Sequence, residues 1–335
     1  MQRAHANLKL PKHLYLETTS RCNLRCRGCI LYRGSWEPQR DLSLKEFIMI
    51  CEQLPTLERV ALHGIGEPLL NLELPDMIQY LKQRKAFVFF NSNGILLDET
   101  CQYQLIDTGL DELRISLDAA SPAGYKIMRD SDKFDLIISN VQAFSERIKS
   151  LHVSHPKLSF WYLGTQENIS ELPDFVRLAA DLGIPEVYLQ RLVYFQEDEG
   201  YGLAKPEKTL IDSNTAVTKW IHESHEIARQ SGIQFNASGL SNPLESLQTN
   251  TLNSSPWKRC YRPITLMYIT ANGNVLPCCI SPFATSDYDA IILGNVFDNS
   301  LAEIWSGHRY ESFRKKRQTE NPPKCCKGCG SLWSL

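Results

Sequence analysis

The sequence predicts an α/β protein in two parts, a partial barrel of six strand–helix units and a small α+β domain after it. Short apolar runs alternate with amphipathic stretches from residue 13 to about residue 193, which is typical of strand–helix repeats around a parallel sheet. The cysteines are the second observation. Three lie between residues 22 and 29, and six lie between residues 260 and 329. We therefore expect one cysteine-bound site in each part.

Six apolar runs are the strand candidates. In chain order they are "HLYLET" (13–18), "ERVALHG" (58–64), "AFVFFNS" (86–92), "ELRISLD" (112–118), "KLSFWYLG" (157–164) and "EVYLQRLVYF" (186–195). The helix candidates between them carry apolar residues spaced for one buried face. They are "SLKEFIMICEQL", "LPDMIQYLKQR", "ETCQYQLIDTG", "KFDLIISNVQAFSERIKSL" and "ELPDFVRLAADLG". Ser43 and Glu46 open the first of these with the spacing of a capping box.

The alternation stops after the sixth strand. Residues 194–212 are rich in acidic residues, Gly and Pro and predict a loop or linker. A helix, "NTAVTKWIHESHEIARQSG", and a polar stretch follow. We therefore expect the barrel in residues 1–215, a helix and linker in 216–254, and the small domain in 255–335.

Within the small domain, "ITLMYITANGNVLPCC" predicts a β-hairpin. Asn272-Gly273 is a pair that suits a two-residue turn. A single helix is expected near residues 301–316. It carries "RKKR" (314–317), which we interpret as a solvated face, because four charges without interleaved aromatic residues make a poor nucleic-acid footprint.

Composition excludes several classes of protein. The formal net charge is -2 and 43% of the residues are hydrophobic, which favours neither a nucleic-acid partner nor a membrane surface. No run approaches the 18 apolar residues of a membrane span, and no signal peptide is evident. We expect a cytoplasmic location, where disulfides are rare, so the cysteines favour metal binding or catalysis.

The first cysteine group stands in "ETTSRCNLRCRGC" (17–29), just after the first predicted strand. A structural zinc site takes four closed ligands, whereas Cys22, Cys26 and Cys29 supply only three. An iron–sulfur cluster held by three thiolates keeps one iron open for another ligand. Nearby positive charge suits an anionic cluster, and four arginines are close in sequence: Arg21, Arg25, Arg27 and Arg33. The alternative is a zinc knuckle that borrows a distant ligand.

The spacing Cys-x3-Cys-x2-Cys resembles that of the radical S-adenosylmethionine (AdoMet) superfamily. The resemblance implies a TIM-like partial (β/α)6 barrel and a [4Fe-4S] cluster held by Cys22, Cys26 and Cys29. It also implies that AdoMet chelates the open iron. An electron from a donor such as flavodoxin or ferredoxin would then cleave AdoMet to a 5'-deoxyadenosyl radical, which abstracts hydrogen from a C–H bond of the substrate.

Further segments fall at the C-terminal ends of the predicted strands, where barrel enzymes build their sites. They are "GIGEP" (64–68), "NSNG" (91–94) and "ISLDAA" (115–120). The resemblance implies that the first contacts the AdoMet amino group and the others its ribose and methionyl group. The implied residues are Gly64, Gly66, Glu67, Pro68, Asn91, Asn93, Ser116 and Asp118.

Arg129, in "YKIMRD", matches a basic residue that faces the AdoMet carboxylate in that superfamily, and the alternative is a solvated cation at a helix end. The chain departs from the pattern before its third cysteine. Gly28 stands where many relatives have an aromatic residue for adenine, and Tyr32 is the nearest aromatic residue. His63, just before "GIGEP", is either an acid–base group or a core histidine.

The second cysteine group resembles the twitch or shortened SPASM domain of radical AdoMet enzymes. Cys260, Gly273 and Cys278 have its spacing, and Cys326-x2-Cys329 follows near the end. The resemblance implies one auxiliary [4Fe-4S] cluster with four thiolate ligands. Cys279 and Cys325 adjoin two of these ligands, so the choice within each pair stays open, although spacing favours Cys278 and Cys326. A zinc ribbon is the alternative.

The sequence leaves three hypotheses open for the net reaction. Because the first strand begins by about residue 13, without a peptide-recognition domain before it, we favour oxidation or rearrangement of a small polar metabolite. The alternatives are a peptide-modifying maturase, which crosslinks or epimerises, and a non-catalytic zinc-binding scaffold. The candidates for substrate contact lie on the sixth strand and the loop after it: Gln190, Arg191, Glu197, Asp198 and Tyr201.

Overall fold

A computed structural model of the protein describes residues 9–195, 200–210, 215–237 and 255–327. The described strands form one ten-stranded sheet. Seven of them run parallel and neighbour one another in chain order: β1 (His13–Leu16), β2 (Arg59–Ala61), β3 (Phe87–Ser92), β4 (Glu112–Ser116), β5 (Lys157–Gly164), β6 (Glu186–Arg191) and β7 (Gln234–Ala237). The six predicted strands are confirmed, with shorter ends than the apolar runs suggested.

The seventh strand, β7, was not predicted. It lies in the segment expected to hold only a helix and linker (216–254), and it pairs with β6. Its four residues bury only Phe235 and Ala237. A run this short carries too little apolar periodicity to be recognised as a strand.

Helices connect the parallel strands and cover the sheet. They are α1 (Leu44–Glu52), α2 (Leu74–Gln83), α3 (Glu99–Asp107), α4 (Pro122–Arg129), α5 (Phe134–Ser150), α6 (Leu172–Asp181) and α7 (Thr215–Ser231). The predicted capping box at α1 is confirmed, because the Ser43 side chain accepts from the Glu46 amide and the Glu46 carboxylate accepts from the Ser43 amide. Among the described residues, no helix is long and apolar enough to cross a membrane.

The core lies between the sheet and these helices. Val60 and Val88 on the strands, and Ile50 and Met77 on the helices, are fully buried in one continuous apolar cluster. Burying an aliphatic side chain of this size stabilises the fold by roughly 1.5–3 kcal/mol. The packed sheet therefore gives a rigid base to the loops at its edges.

The C-terminal part extends the same sheet from the other side of β1. Its first strand, β8 (Leu266–Ile269), runs parallel to β1, and β9 (Asn274–Leu276) and β10 (Gly294–Asn295) continue the sheet antiparallel. The hairpin is confirmed, but its turn has three residues instead of two. Thr270 pairs with Asn274, and Gly273 carries a left-handed φ of 84°. This is a three-residue hairpin loop whose last residue is a glycine in the left-handed region.

Short helices complete the C-terminal part: α8 (Arg262–Thr265), α9 (Leu301–Ser306), α10 (His308–Arg317) and α11 (Lys324–Lys327). The predicted single helix is two helices, which meet at Gly307. The prediction of a solvated basic face is wrong for Arg314 and Arg317. Both are buried, and their guanidinium groups donate to backbone carbonyls, Arg314 to Pro263 and Arg317 to Trp257 at 2.9 and 2.7 Å.

Candidate active site

A cavity of about 380 Å³ opens at the C-terminal ends of the parallel strands. Its wall includes the cysteine loop at 22–29, the loop at 63–67 and the ends of the third, fourth and sixth strands. The C-terminal part also lines it, with Arg262, Tyr268, Cys279, Ile280 and Phe283. Both parts of the chain therefore contribute to one cavity, at the edge where barrels build sites.

All three cysteines of the first group line this cavity. The loop is compact, since the Cys29 amide donates to the Cys26 carbonyl at 2.9 Å. Burial is the main cause that raises the pKa of Cys22 to about 11 and that of Cys29 to about 12. Thiols held out of water in this way need a bound cation to become thiolates, and iron would supply that charge.

Arg129 connects the cysteine loop to the fourth strand. Its Nη1 donates to the Cys26 sulfur at 3.4 Å, and its Nε lies 2.6 Å from Asp118 Oδ2. The other Asp118 oxygen accepts from the Leu163 amide at 2.8 Å. The side chain of Arg129 is only 13% exposed, so the alternative of a solvated cation is wrong. The Asp118 carboxylate holds Arg129 in place at the cavity wall, and the predicted contact of Arg129 with the AdoMet carboxylate stays a prediction.

Glu67 connects the "GIGEP" loop to the sheet, as Arg129 connects the cysteine loop to it. Its carboxylate accepts from the Ser92 hydroxyl and the Asn93 amide, each at 2.8 Å, and thereby ties this loop to the third strand. Burial raises the pKa of Glu67 to about 7. Pro68 is buried at the start of a short 3-10 turn and does not line the cavity.

The glycines of this loop allow it to approach the first strand closely. A Cβ on Gly64 would lie 2.0 Å from the side chain of Glu17, and a Cβ on Gly66 would lie 2.1 Å from the Thr19 carbonyl oxygen. Such contacts do not occur in real structures, so both positions require glycine. Both glycines also line the cavity, so their predicted approach to a ligand stays a prediction.

The polar ends of the third and fourth strands also reach the cavity. Asn91, Asn93 and Ser116 all line it. The Asn93 side-chain amide donates to Asn23 Oδ1 at 2.7 Å and so braces the cysteine loop. Asn91 Oδ1 is buried and has no hydrogen-bond partner. A buried acceptor without a donor at a cavity wall is what a bound ligand with donor groups would satisfy.

Sequence reasoning missed Glu17, the residue just after β1. It is buried, and its carboxylate accepts from the Ile65 amide, from the Tyr268 hydroxyl at 2.9 Å and from the Ala271 amide at 3.2 Å. Burial raises its pKa to about 7. A charged residue directly after an apolar strand was the available signal. Glu17 joins the first strand, the "GIGEP" loop and the C-terminal part.

His63 lines the cavity as a neutral side chain. Burial, with a smaller effect of the Arg114 charge, lowers its pKa to about 3. Its Nδ1 accepts from the Asn91 amide at 3.2 Å, and its ring packs edge-on against Tyr15 and Phe89. These contacts favour the core-histidine alternative over the acid–base role.

In the second cysteine group, the adjacent residues Cys278 and Cys279 have different surroundings. Burial raises the pKa of Cys278, and the charges of Cys279, Cys260 and Cys326 raise it further, so these sulfurs are near one another. Cys279 faces the cavity and accepts from Arg262 Nη1 at 2.9 Å. This placement supports Cys278 as the ligand of the pair, which stays a prediction. Cys329 lies outside the described residues.

Among the described residues, two of the five candidates for substrate contact line the cavity. Gln190 and Arg191 line the cavity, and burial lowers the pKa of Arg191 to about 9. Glu197 and Asp198 lie outside the described residues. Tyr201 is not part of the described cavity wall. It is buried in a small apolar cluster behind the cysteine loop, so its placement does not support a contact with substrate.

Aromatic residues that we did not predict form part of the cavity wall. Trp161 and Tyr188 stack with ring centroids 4.2 Å apart, and Arg114 lies over Trp161 at 4.3 Å. Tyr194 and Phe283 also line the cavity. Alternation of side chains along a strand was the available signal, because Trp161 and Tyr188 pair across β5 and β6.

A partial parallel barrel whose open edge gathers three cysteines, and whose cavity is closed by a second cysteine-bearing part, defines an iron–sulfur enzyme. Two family models agree with that class. One, described as the radical SAM superfamily, matches residues 16–179, and the SPASM model, described as an iron-sulfur cluster-binding domain, matches residues 260–330. The chain belongs to the radical SAM superfamily and carries a C-terminal SPASM domain.

Two curated relatives are similar to this chain over nearly its whole length. The tungsten-containing aldehyde ferredoxin oxidoreductase cofactor-modifying protein of Pyrococcus furiosus is 24% identical, over 94% of this chain and 86% of the relative. The PqqA peptide cyclase of Granulibacter bethesdensis is 24% identical, over 97% of this chain and 81% of the relative.

Solved structures share the fold. Streptococcus suis SuiB bound to S-adenosylmethionine superposes with a TM-score of 0.72 at 18% identity, over 98% of this chain and 73% of SuiB. SuiB bound to its precursor peptide SuiA gives a TM-score of 0.70 at 18% identity, over 92% and 68%. The radical SAM and SPASM family models imply the cofactors of this enzyme, which are AdoMet, the [4Fe-4S] cluster that AdoMet completes, and auxiliary [4Fe-4S] clusters in the SPASM domain. Because both family models describe iron–sulfur proteins, the zinc-binding scaffold is not supported.

Proposed function

We propose that the enzyme modifies a peptide, by abstracting hydrogen from one residue of a peptide substrate with the radical made from AdoMet. This reverses the order of the two hypotheses drawn from the sequence, which favoured a small metabolite. The similarity to PqqA peptide cyclase and the SuiB structure with a precursor peptide support the change.

The observation that carries this proposal is the size and position of the cavity. At about 380 Å³ it is near the lower end of ligand pockets, which range over roughly 300–1,000 Å³. AdoMet must share this space with the substrate. A single side chain inserted from a peptide fits the remaining space while the rest of the peptide stays outside it, and the aromatic wall at Trp161, Tyr188 and Phe283 suits such a side chain.

The residue roles are part of the same proposal. Cys22, Cys26 and Cys29 would hold the AdoMet-binding cluster, and Cys260, Cys278, Cys326 and Cys329 the auxiliary cluster. When bound, the reduced cluster and AdoMet supply the radical. The chain's own residues orient the reactants: Arg129 holds Cys26 and Asp118 together, and Asn91 offers its free acceptor to AdoMet.

The proposal also names an electron donor, two substrate contacts and the domain boundaries. A low-potential carrier such as flavodoxin or ferredoxin would supply the electron. Gln190 and Arg191 would contact the substrate from the sixth strand. We keep the domain limits of 1–215, 216–254 and 255–335 as proposed.

The test uses enzyme reconstituted anaerobically with iron and sulfide, supplied with AdoMet and reductant. Candidate short peptides encoded beside the gene are compared with small polar metabolites by mass spectrometry. We expect a peptide to stimulate 5'-deoxyadenosine formation and to lose two hydrogens on crosslinking, or to gain solvent deuterium on epimerisation. Turnover of a metabolite with every peptide unchanged would overturn the proposal. Cys26→Ala serves as the control without AdoMet cleavage.

A further inference from the structure

A second groove, of about 540 Å³, lies outside the active-site cavity, between the cysteine loop and the end of α4. Cys22 and Leu24 line both this groove and the active-site cavity. The cysteine loop therefore separates the active site from the groove. The other residues of the groove wall are Asn23, Arg25, Lys126 and residues 130–132, most of which are exposed to solvent.

Two hydrogen bonds hold the cysteine loop against the last turn of α4. The Arg27 amide donates to the Met128 carbonyl, and Arg27 Nη1 donates to the Ile127 carbonyl, both at 3.2 Å. Side chains of the loop and of α4 consequently form one surface beside the groove, which we call the outer patch. Its members are Arg25, Arg27, Tyr32, Lys126 and Ile127.

The outer patch contains two exposed apolar side chains. Tyr32 is 49% exposed and Ile127 is 46% exposed. Tyr32 adjoins Arg27, because a Cβ on Gly202 would lie 2.1 Å from the Arg27 carbonyl oxygen and 3.1 Å from the Tyr32 ring. Exposed apolar side chains within a charged rim are typical of a surface that binds another protein.

Cations form that rim. Arg25 and Lys126 are exposed, and Arg27 is partly exposed. In the part of the chain that the structure describes, none of these three side chains has a carboxylate partner. Other surface cations do have one, such as Arg21, which lies 2.6 Å from Asp41. The positive charge of the outer patch is therefore available to a partner.

Carboxylates in the groove reduce this charge without cancelling it. Asp130 and Asp132 belong to the groove wall, and Lys133 Nζ lies 3.7 Å from the Asp132 carboxylate. With Lys133 included, the groove and the outer patch together contain more cations than carboxylates. Opposite charge steers association and raises its rate, so this surface favours an acidic partner.

The position of the surface indicates what that partner does. Electron transfer weakens steeply with distance, so a protein that reduces the cluster must approach the cysteine loop. It cannot approach through the active-site cavity, which AdoMet and substrate would fill. Complexes for electron transfer bury small interfaces, and a few charged and apolar side chains are enough to form one.

We propose that the outer patch is the docking surface for the electron carrier, and that this carrier is a small protein with acidic residues around its redox centre. The reduced carrier loses one electron to the cluster held by Cys22, Cys26 and Cys29, and no covalent bond is made or broken in this step. The inference rests on the electron carrier and the cluster ligands of the proposed function, but not on its peptide substrate.

Crosslinking locates the docking surface without any assay of activity. The holoenzyme is mixed with an acidic flavodoxin and treated with a carbodiimide, which joins lysine amines to carboxylates in contact. We expect crosslinks from Lys126 and Lys133 to the flavodoxin, identified by mass spectrometry. Lys219, exposed on α7, is the internal control. Crosslinks that were absent at Lys126, or as frequent at Lys219, would contradict the assigned surface.

Charge reversal tests the same surface by affinity. Lys126→Glu should raise the dissociation constant of the flavodoxin complex about tenfold, measured by calorimetry, because steering charges change association over roughly one to three decades. Added salt should reduce this difference. Lys126→Gln, which removes charge without repulsion, should give a smaller loss. An unchanged constant in Lys126→Glu, or an equal loss in Lys219→Glu, would overturn the inference.

A second reductant separates docking from damage to the cluster. With photoreduced 5-deazariboflavin, a small neutral molecule, Lys126→Glu should form 5'-deoxyadenosine as fast as the original chain and keep its iron. With limiting flavodoxin it should be slower. Equal losses with both reductants would show that Lys126 acts on the cluster and not on docking. Peptide is absent throughout, so a negative peptide assay would bear on the proposed function alone.

Discussion

Glu17 accepts a hydrogen bond from the Tyr268 hydroxyl at 2.9 Å, so the first strand of the barrel and the first strand of the SPASM domain share one buried carboxylate. The same carboxylate accepts from the Ile65 amide in the "GIGEP" loop. The position of that loop at the cavity therefore depends on the C-terminal domain. A substitution that displaces the loop should also disturb the packing of that domain, and the reverse should hold.

Glu17 should make folding stability depend on pH. Burial raises its pKa from 4.5 to about 7, so between these values the folded chain keeps a proton that the unfolded chain releases. Stability that is fully present below pH 4.5 is therefore lost as pH rises through 7. In Glu17→Gln the free energy of unfolding should fall less across this window, by on the order of 3 kcal/mol.

Urea denaturation of both proteins at several pH values measures this effect. Glu67 also titrates with a raised pKa, but it is present in both chains, so the difference isolates Glu17. Parallel curves for the two proteins would show that Glu17 does not carry the pH dependence.

Arg129→Lys should weaken the AdoMet-binding cluster. Lysine keeps the positive charge, but a point charge cannot replace the planar guanidinium that contacts both the Cys26 sulfur and Asp118. Residues that support metal ligands typically contribute about 10- to 100-fold to affinity or activity. We expect a loss of this size in 5'-deoxyadenosine formation, measured by chromatography. The exposed Arg25→Lys is the control, and equal losses in both variants would contradict the assigned role.

Gly66→Ala should disrupt the "GIGEP" loop, because its Cβ would meet the Thr19 carbonyl oxygen at 2.1 Å. Gly28→Ala is a matched comparison in the cysteine loop. Its Cβ would meet only the end of the Leu163 side chain at 3.0 Å, which can turn aside. We expect Gly66→Ala to lower AdoMet affinity and the melting temperature, and Gly28→Ala to be milder. Equal effects would show that the backbone contact does not restrain the loop.

Iron analysis should show which of the adjacent residues Cys278 and Cys279 is the cluster ligand. Two [4Fe-4S] clusters contain about eight irons, and Cys26→Ala should lose half of them. Cys278→Ala should lose the other half, whereas Cys279→Ala should retain both clusters because Cys279 faces the cavity and Arg262. Loss of iron in Cys279→Ala, with Cys278→Ala intact, would reverse the ligand choice.

The predictable features depend on neighbours in sequence. The six strands, the capping box at Ser43 and Glu46 and the hairpin at Gly273 are local patterns, and all are confirmed. The cysteine spacing predicted the superfamily for the same reason, since one loop must supply three ligands. The strand β7 was missed because its few residues bury little apolar surface.

The sequence by itself determined the barrel order, the two cysteine-bearing parts and the superfamily to which the chain belongs. Only the tertiary structure decided that Glu17 accepts from Tyr268, that Arg129 bridges Cys26 and Asp118, and that Tyr201 is buried behind Cys29. Burial and hydrogen-bond partners depend on residues far apart in the chain, and the parallel sheet brings their strand ends to one edge. No local pattern records which of those side chains meet.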